Sequence, residues 1–310
     1  MESNPLIYFD ERLHKYTDNR GNTYTSVTTV IPNYHEKFKT DDIAIACERI
    51  GRNPAHPKYL KYKGKTANEI KLGWDVIRDT SLVNGNKKHN YLEDTIRKAT
   101  KYRTIDGTDY IQDRLFTIED IINNTFGELD VDWFITSGIS FKYPRIYEAI
   151  ITLHNAGFKF YAELGIYNIE LLISGKIDLV AIKGKEFIIV DWKTNKDDIK
   201  YEAGYFEKDM EGKTTSNFIG TNKYMLYPLH FLPDSTGVHY NLQVSGYAWL
   251  IEQFGFINIG NVIFQIRETE DGYVEKVDKI QLHDYREKSE LMFRHHFESR
   301  KLKPQLKLFV

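Results

Sequence analysis

Two apolar, β-branched runs lie either side of a short Lys183-Gly184-Lys185 turn, and no other stretch constrains the fold of this chain as tightly. The first reads Ser174-Gly175-Lys176-Ile177-Asp178-Leu179-Val180-Ala181-Ile182, and the second Glu186-Phe187-Ile188-Ile189-Val190-Asp191-Trp192-Lys193-Thr194. Runs of this kind around a Gly-containing turn spell a β-hairpin. Asp178 falls on the first strand, thirteen positions before Asp191. Asp191 and Lys193 are two residues apart at the end of the second, so their side chains leave the same face. Two carboxylates and an amine are therefore expected to converge. Hard oxygen donors suit Mg²⁺ or Mn²⁺, and a lysine beside them suits orienting a water and offsetting charge on a phosphate.

The rest of the composition narrows the class. The 310 residues allow one large domain or two small ones, and 41% apolar content provides for a sizeable core. A net charge of −2 gives no global basic field, so any nucleic-acid contact must use a local patch. A single cysteine, Cys47, excludes an intrachain disulfide, a multi-cysteine zinc site and an iron–sulfur cluster held by this chain alone. The N-terminus lacks the basic-then-apolar order of a signal peptide, and no apolar run approaches membrane-spanning length. The expectation is a soluble, cytoplasmic protein without a membrane partner.

Along the chain, residues 6–31 alternate as small hairpins, and 38–51 form a helix with Ile43, Ala46, Cys47 and Ile50 on one face. A loop is expected over 52–64. Helices are expected over 65–82, with Ile70, Trp74 and Ile77 spaced for burial, and over 86–100. Residues 101–117 are ambiguous; 117–127 and 140–156 are helical. Strands follow at 158–168, 171–182 and 186–193, then a long irregular segment at 197–240. A helix at 241–254, strands at 260–268 and 273–281, and a helix at 283–300 with a basic tail complete the pattern. The organisation is α+β, with a helical N-terminal half and a central sheet flanked by helices. We take residues 1–310 as a single domain, parsed as hairpins and helix (1–64), helical part (65–157), sheet core with its inserted loop (158–282), and C-terminal helix and tail (283–310).

Further groups bear chemistry. His89 and Glu93 are four apart on a helix, hence on one face; they suit a metal, or a solvated face. Glu163 precedes the hairpin and faces either the same cluster or the wet side of the sheet. Gln243 and Tyr247 repeat the four-residue spacing and suit either the site or a buried polar pair. Lys58, Lys61, Lys63 and Lys65, interleaved with Tyr59 and Tyr62, suit phosphates and bases, or a solvated loop. Lys63-Gly64-Lys65-Thr66 resembles the end of a phosphate-binding loop, but Tyr59 stands where the upstream glycine is required, which excludes ATP. His295-His296 reads as a solvated helix face, and Trp74 and Trp249 as core.

Taken in order, Gly-x-x-x-His-x-x-Leu-Glu (85–93), Glu163, Gly-x-Ile-Asp (175–178), Asp-x-Lys-Thr (191–194) and Gln-x-x-x-Tyr (243–247) resemble the RecB-like branch of the PD-(D/E)XK nuclease superfamily. The opening Tyr8-Phe9-Asp10, His14-Lys15-Tyr16 and Ser26-Val27-Thr28 look like the start of its phage-type exonucleases. The resemblance spans about half the chain and is to a member without an iron–sulfur cluster. It departs from the pattern in the roughly fifty-residue gap between Lys193 and Gln243. It implies a restriction-endonuclease-like α/β/α core and a metal-dependent DNA nuclease, an exonuclease of recombination, repair or replication. The alternatives are a structure-specific endonuclease or nickase, or a catalytically silent DNA-binding scaffold.

The resemblance also implies roles. Asp178, Asp191, His89 and the Trp192 carbonyl would hold one Mg²⁺ or Mn²⁺, and Glu163 and Glu93 a second ion or the first. Lys193 would position or activate the attacking water. Gln243 and Tyr247 would contact the hairpin or the nucleic acid, and Thr194 the substrate; Lys61 and Lys63 are taken as substrate contacts from the Lys/Tyr interleaving. DNA is the implied partner, with a single-strand-binding or annealing protein and a homo-oligomer left open. For a viral member the compartment would be the host cytoplasm.

Overall fold

β-Branched and aromatic residues fall into strands and the longer amphipathic stretches into helices. The computed structural model describes residues 4–103, 114–122, 126–195, 197–209, 214–268 and 275–306. Its strands are β1 (Ile7–Asp10), β2 (Lys15–Asp18), β3 (Thr23–Ser26), β4 (Thr100–Arg103), β5 (Phe126–Leu129), β6 (Lys159–Asn168), β7 (Ile173–Lys183), β8 (Glu186–Lys193), β9 (Gly204–Lys208), β10 (Thr214–Gly220), β11 (Ile257–Glu268) and β12 (Glu275–Gln281). Its helices are α1 (Val27–Val30), α2 (Thr40–Ile50), α3 (Tyr59–Tyr62), α4 (Ala67–Ala99), α5 (Ile118–Ile122), α6 (Val131–Thr136), α7 (Ile139–Lys142), α8 (Pro144–Asn155), α9 (Thr236–Glu252) and α10 (Arg286–Leu306).

The main sheet is mixed and runs β1-β2-β3-β7-β8-β11-β12, with β6 also paired to β7. β6 lies antiparallel along nearly the whole of β7. The other edge of β7 is shared: Ile173 and Ser174 pair in parallel with β3, and Leu179–Lys183 pair antiparallel with β8. Between them, no strand among the described residues pairs with 175–178 on that edge. The N-terminal hairpins thus join the central sheet, rather than forming part of a helical half as expected.

Helices cover both faces. One core gathers Val27, Ile189, Leu242, Val244 and Phe293 from α1, β8, α9 and α10. The other gathers Leu92, Ile96, Phe134, Ile146, Trp192 and Phe264 beneath α4, α6 and α8. Helix α9 is apolar on every side and correspondingly buried.

Several boundaries differ from expectation. The two helices at 65–82 and 86–100 are one helix, α4, opened by a Thr66/Glu69 capping box. Gly85 does not break it, because that position is a close contact: a Cβ there would stand 3.0 Å from Thr194 Oγ1. Ile77 is exposed; Ile70 is buried against Ala44 and Cys47 of α2, with Trp74 packed beside them. The strand expected to end at Ile31 turns into α1 at Val27, where Ser26 caps the helix. The predicted helix at 117–127 is the short α5 followed by β5, and residues 123–125 lie outside the described set. Within 197–240, β9 and β10 form a hairpin, with 210–213 outside the described residues. His295 is not a solvated face: its Nδ1 is 3.0 Å from the Tyr34 hydroxyl. Among the described residues no helix is long and apolar enough to cross a membrane.

Candidate active site

Strands β7 and β8 separate after the Leu179–Val190 pair. Asp178 stands at the point of parting, and its Oδ2 accepts the Trp192 N–H at 2.9 Å. A carboxylate thereby takes the donor that a longer ladder would have used. On β8, alternation carries Phe187, Ile189, Asp191 and Lys193 to the α9 side. Asp191 is 1% exposed, and Lys193 Nζ lies 2.5 Å from its Oδ2. Although it stands near the end of β8, Asp191 is part of the buried interior, because α9 covers it. From α9, Gln243 Nε2 reaches Asp191 Oδ1 at 3.5 Å and the Tyr247 hydroxyl at 3.4 Å. The Tyr247 ring lies against Gly175, where a Cβ would stand 2.6 Å from Cε1.

Helix α4 supplies the other wall. Its contact at Gly85 brings the next turn in, and His89 Nδ1 stands 3.5 Å from Asp178 Oδ2. Glu93, a turn further on, pairs with Arg97 at 3.3 Å. Glu163 lies opposite Asp178 in the β6–β7 register. Its φ is +56°, a left-handed conformation uncommon for a residue with a Cβ. Its carboxylate pairs with Lys176. One cavity of about 610 Å³ is lined by His89, Glu93, Glu163, Asp178, Lys193 and Gln243, with Tyr247 beside them. Asp191 lies buried behind this lining.

Charge in the site follows from burial. Desolvation pushes the Asp191 carboxyl up to about 7, with Lys193 pulling it down and Asp178 pushing it up. Burial pulls the Lys193 ammonium down, but Asp191 and Asp178 outweigh it and leave the pKa raised. Lys193 is thus held charged. Burial lowers the His89 imidazole against the pull of Asp178, which favours the neutral ring. Burial raises Glu93, opposed by Lys176 and Arg97.

The donor set was tested for a hard divalent cation. Asp191 Oδ2 and Glu163 Oε2 are buried without a hydrogen bond, and each meets an ammonium group instead. Among the described residues no three His, Cys, Asp or Glu side chains stand close enough, as placed, to hold a metal ion. By type the donors suit such an ion: Glu163 and Asp178 with His89 line the cavity, and Asp191 lies behind it. The lysines neutralise two of those carboxylates in this arrangement.

Other expected residues are distributed differently. Thr194 abuts Gly85 and serves as a packing contact between β8 and α4. Lys61 lines a separate cavity of about 750 Å³ beside the β9–β10 hairpin. The Lys63 ammonium lies 5.7 Å from the Tyr59 ring, and Tyr62 packs against α2 and α4. Neither lysine joins the acidic cavity. Two residues at the site were not anticipated. Lys176 stands two positions before Asp178, and the same spacing links Asp191 to Lys193, so the signal was present. Tyr240 lies beneath Lys193, its ring 4.9 Å from the ammonium, with its hydroxyl 3.3 Å from Asn195 Oδ1. Only the packing of α9 reveals it.

No family model matches this chain, and no curated protein does. Among solved structures it is similar to a Eubacterium rectale protein described as a "Putative exonuclease", at 12% identity over 60% of this chain and 56% of that one, TM-score 0.30. It is also similar to a protein called SSO0001, at 15% identity over 50% of this chain and 57% of that one, TM-score 0.24. The chain spans a little over half the length of each. Likeness at this level transfers no role, and the site is read from its own geometry.

Proposed function

We propose that this protein is a divalent-metal-dependent deoxyribonuclease of the RecB-like type, acting as an exonuclease. The observation that carries the reading is that Asp178, Lys193 and His89 line one cavity where β7 and β8 part, with Asp191 buried behind them against Lys193. Asp178, Asp191, His89 and the Trp192 carbonyl would hold the cation, with Glu163 and Glu93 as further carboxylates. Bound there, Mg²⁺ or Mn²⁺ would polarise the scissile phosphate and offset charge on the leaving oxygen.

The chain's own groups supply the remainder. Lys193, held charged, donates hydrogen bonds to the attacking water or to a phosphate oxygen; it does not act as the base. Tyr240 and Asp191 fix that ammonium in place. Gln243 holds Asp191 through Oδ1 and is itself tied to Tyr247, so α9 orients the carboxylate. Asp178, by accepting from the Trp192 N–H, ties β7 to β8 where their ladder ends and is itself fixed there.

The test is incubation with linear and closed-circular DNA in Mg²⁺ or Mn²⁺. We expect loss of the linear form only. Cutting of both forms would make the protein an endonuclease, and binding without cutting a scaffold.

A further inference from the structure

We propose that a recess next to the acidic cavity binds the nucleotide flanking the cleaved bond, with Lys176 and Arg97 taking an internal phosphate and Tyr8 its base. The proposal rests on the nuclease reading above and names where the strand continues. The recess has a volume of about 390 Å³ and is lined by Tyr8, Phe9, Arg97, Arg114 and Lys176, with Glu11 and Glu163. Phe9, Glu11, Glu163 and Lys176 also line the acidic cavity, so the two spaces are continuous.

The sign of the charge changes between them. The cavity carries five carboxylates (Glu11, Glu93, Asp94, Glu163 and Asp178) against Lys176 and Lys193. The recess carries three cations against two carboxylates. A phosphate in the first needs a metal ion beside it; a phosphate in the second meets cationic side chains directly.

The cations differ in availability. Arg114 is bound to Asp120 at 2.5 Å and 3.0 Å and stays with it. Lys176 pairs with Glu163, and Arg97 with Glu93. Those are the two further carboxylates proposed to join Asp178 and Asp191 around a divalent cation. Occupation of the acidic cavity would therefore loosen both pairs and free Lys176 and Arg97 for a substrate anion. The Lys176 ammonium already lies 5.2 Å from the Phe9 ring, and that ring is stacked on Tyr16 at 4.4 Å, which fixes it. Tyr8, next along β1, is 37% exposed at the recess, and an aromatic ring accessible in this way is a stacking platform for a base.

The test is binding of a single-stranded oligonucleotide across a salt series at fixed Mn²⁺, in the Lys193→Ala background so that nothing is cleaved. Arg97→Gln and Lys176→Gln are each expected to weaken binding about tenfold and to flatten the slope of log affinity against log salt by about 0.7. Lys176→Arg keeps the slope. Tyr8→Ala is expected to lose roughly 5- to 150-fold in affinity with the slope unchanged. Removing the oligonucleotide's terminal phosphate changes nothing. Unchanged slopes in Arg97→Gln and Lys176→Gln, even with weaker binding, would overturn the proposal, as would an effect confined to the terminal phosphate. Arg97 is largely outside the core, so its variant remains informative if Lys176→Gln folds poorly. Failure of the wild type to cleave any DNA would sink the nuclease reading, while the salt slopes would still report on the recess.

Discussion

Lys193 and His89 show how burial assigns charge at single residues. Lys193 stays an ammonium because two carboxylates outweigh its desolvation. His89 stays neutral because desolvation outweighs Asp178, and a neutral imidazole is the form that ligates metals. His89→Ala should therefore raise the Mn²⁺ concentration needed for half-maximal cleavage by roughly ten- to a hundredfold. An unchanged titration would remove His89 from the metal site. Much of this site was legible in the sequence. A two-residue strand period puts Asp191 and Lys193 together, and a four-residue helical spacing does the same for His89 and Glu93. The side on which Glu163 falls was not legible, because its left-handed backbone interrupts the alternation on which such a reading depends. Lys61 and Lys63 lie apart from the acidic cavity, and a Lys/Tyr alternation looks the same whether its tyrosines stack on bases or, as Tyr62 does, pack against helices.

At the scale of elements, the approach of α4 to β8 sets the distance from His89 to Asp178. Asn84-Gly85-Asn86 carries the local signature of a break, but tertiary packing uses Gly85 as a point of contact and the helix runs through it. Gly85→Ala should make Thr194 or α4 give by a few tenths of an ångström and lower turnover by less than the roughly hundredfold that a 1 Å misplacement costs, while improving intrinsic helix propensity. Wild-type turnover by this variant would show that α4 has slack. The β2–β3 turn gives a test of stability. Asp18 accepts from Arg20 N, Asn22 N, Asn22 Nδ2 and Tyr24 Oη at 2.8–2.9 Å. Burial pushes its carboxyl up, but those hydrogen bonds prevail and hold it below the ordinary value. A depressed folded pKa stabilises above the unfolded value of about 3.9 and loses that contribution as pH falls through the folded one. Asp18→Asn should cost roughly 1.5–3 kcal/mol at pH 7, with the difference shrinking below about pH 4. An equal deficit at pH 3 in urea melts would contradict this.

At the scale of the whole molecule, the sheet's topology creates the site. β6 holds one edge of β7 throughout, while β3 and β8 divide the other and leave 175–178 open. Helices from both faces, α4 and α9, then reach the opening. The hairpin motif announced the two strands, but not that the N-terminal hairpins would complete the sheet beside them. Two-residue contacts such as β3 with β7 leave no periodic trace in sequence. A net charge of −2 gives no global basic field, so the proposed nucleic-acid binding would depend on local cations such as Lys176 and Arg97.

Hydrolysis of end-labelled linear DNA in Mn²⁺ by the wild type, Lys193→Ala and Asp191→Asn, with melting curves for each, is the direct measurement. The wild type should cleave, and both variants should lose at least roughly 10²–10³-fold while still unfolding cooperatively. No cleavage by the wild type with either Mg²⁺ or Mn²⁺, or wild-type turnover by Lys193→Ala, would contradict the account.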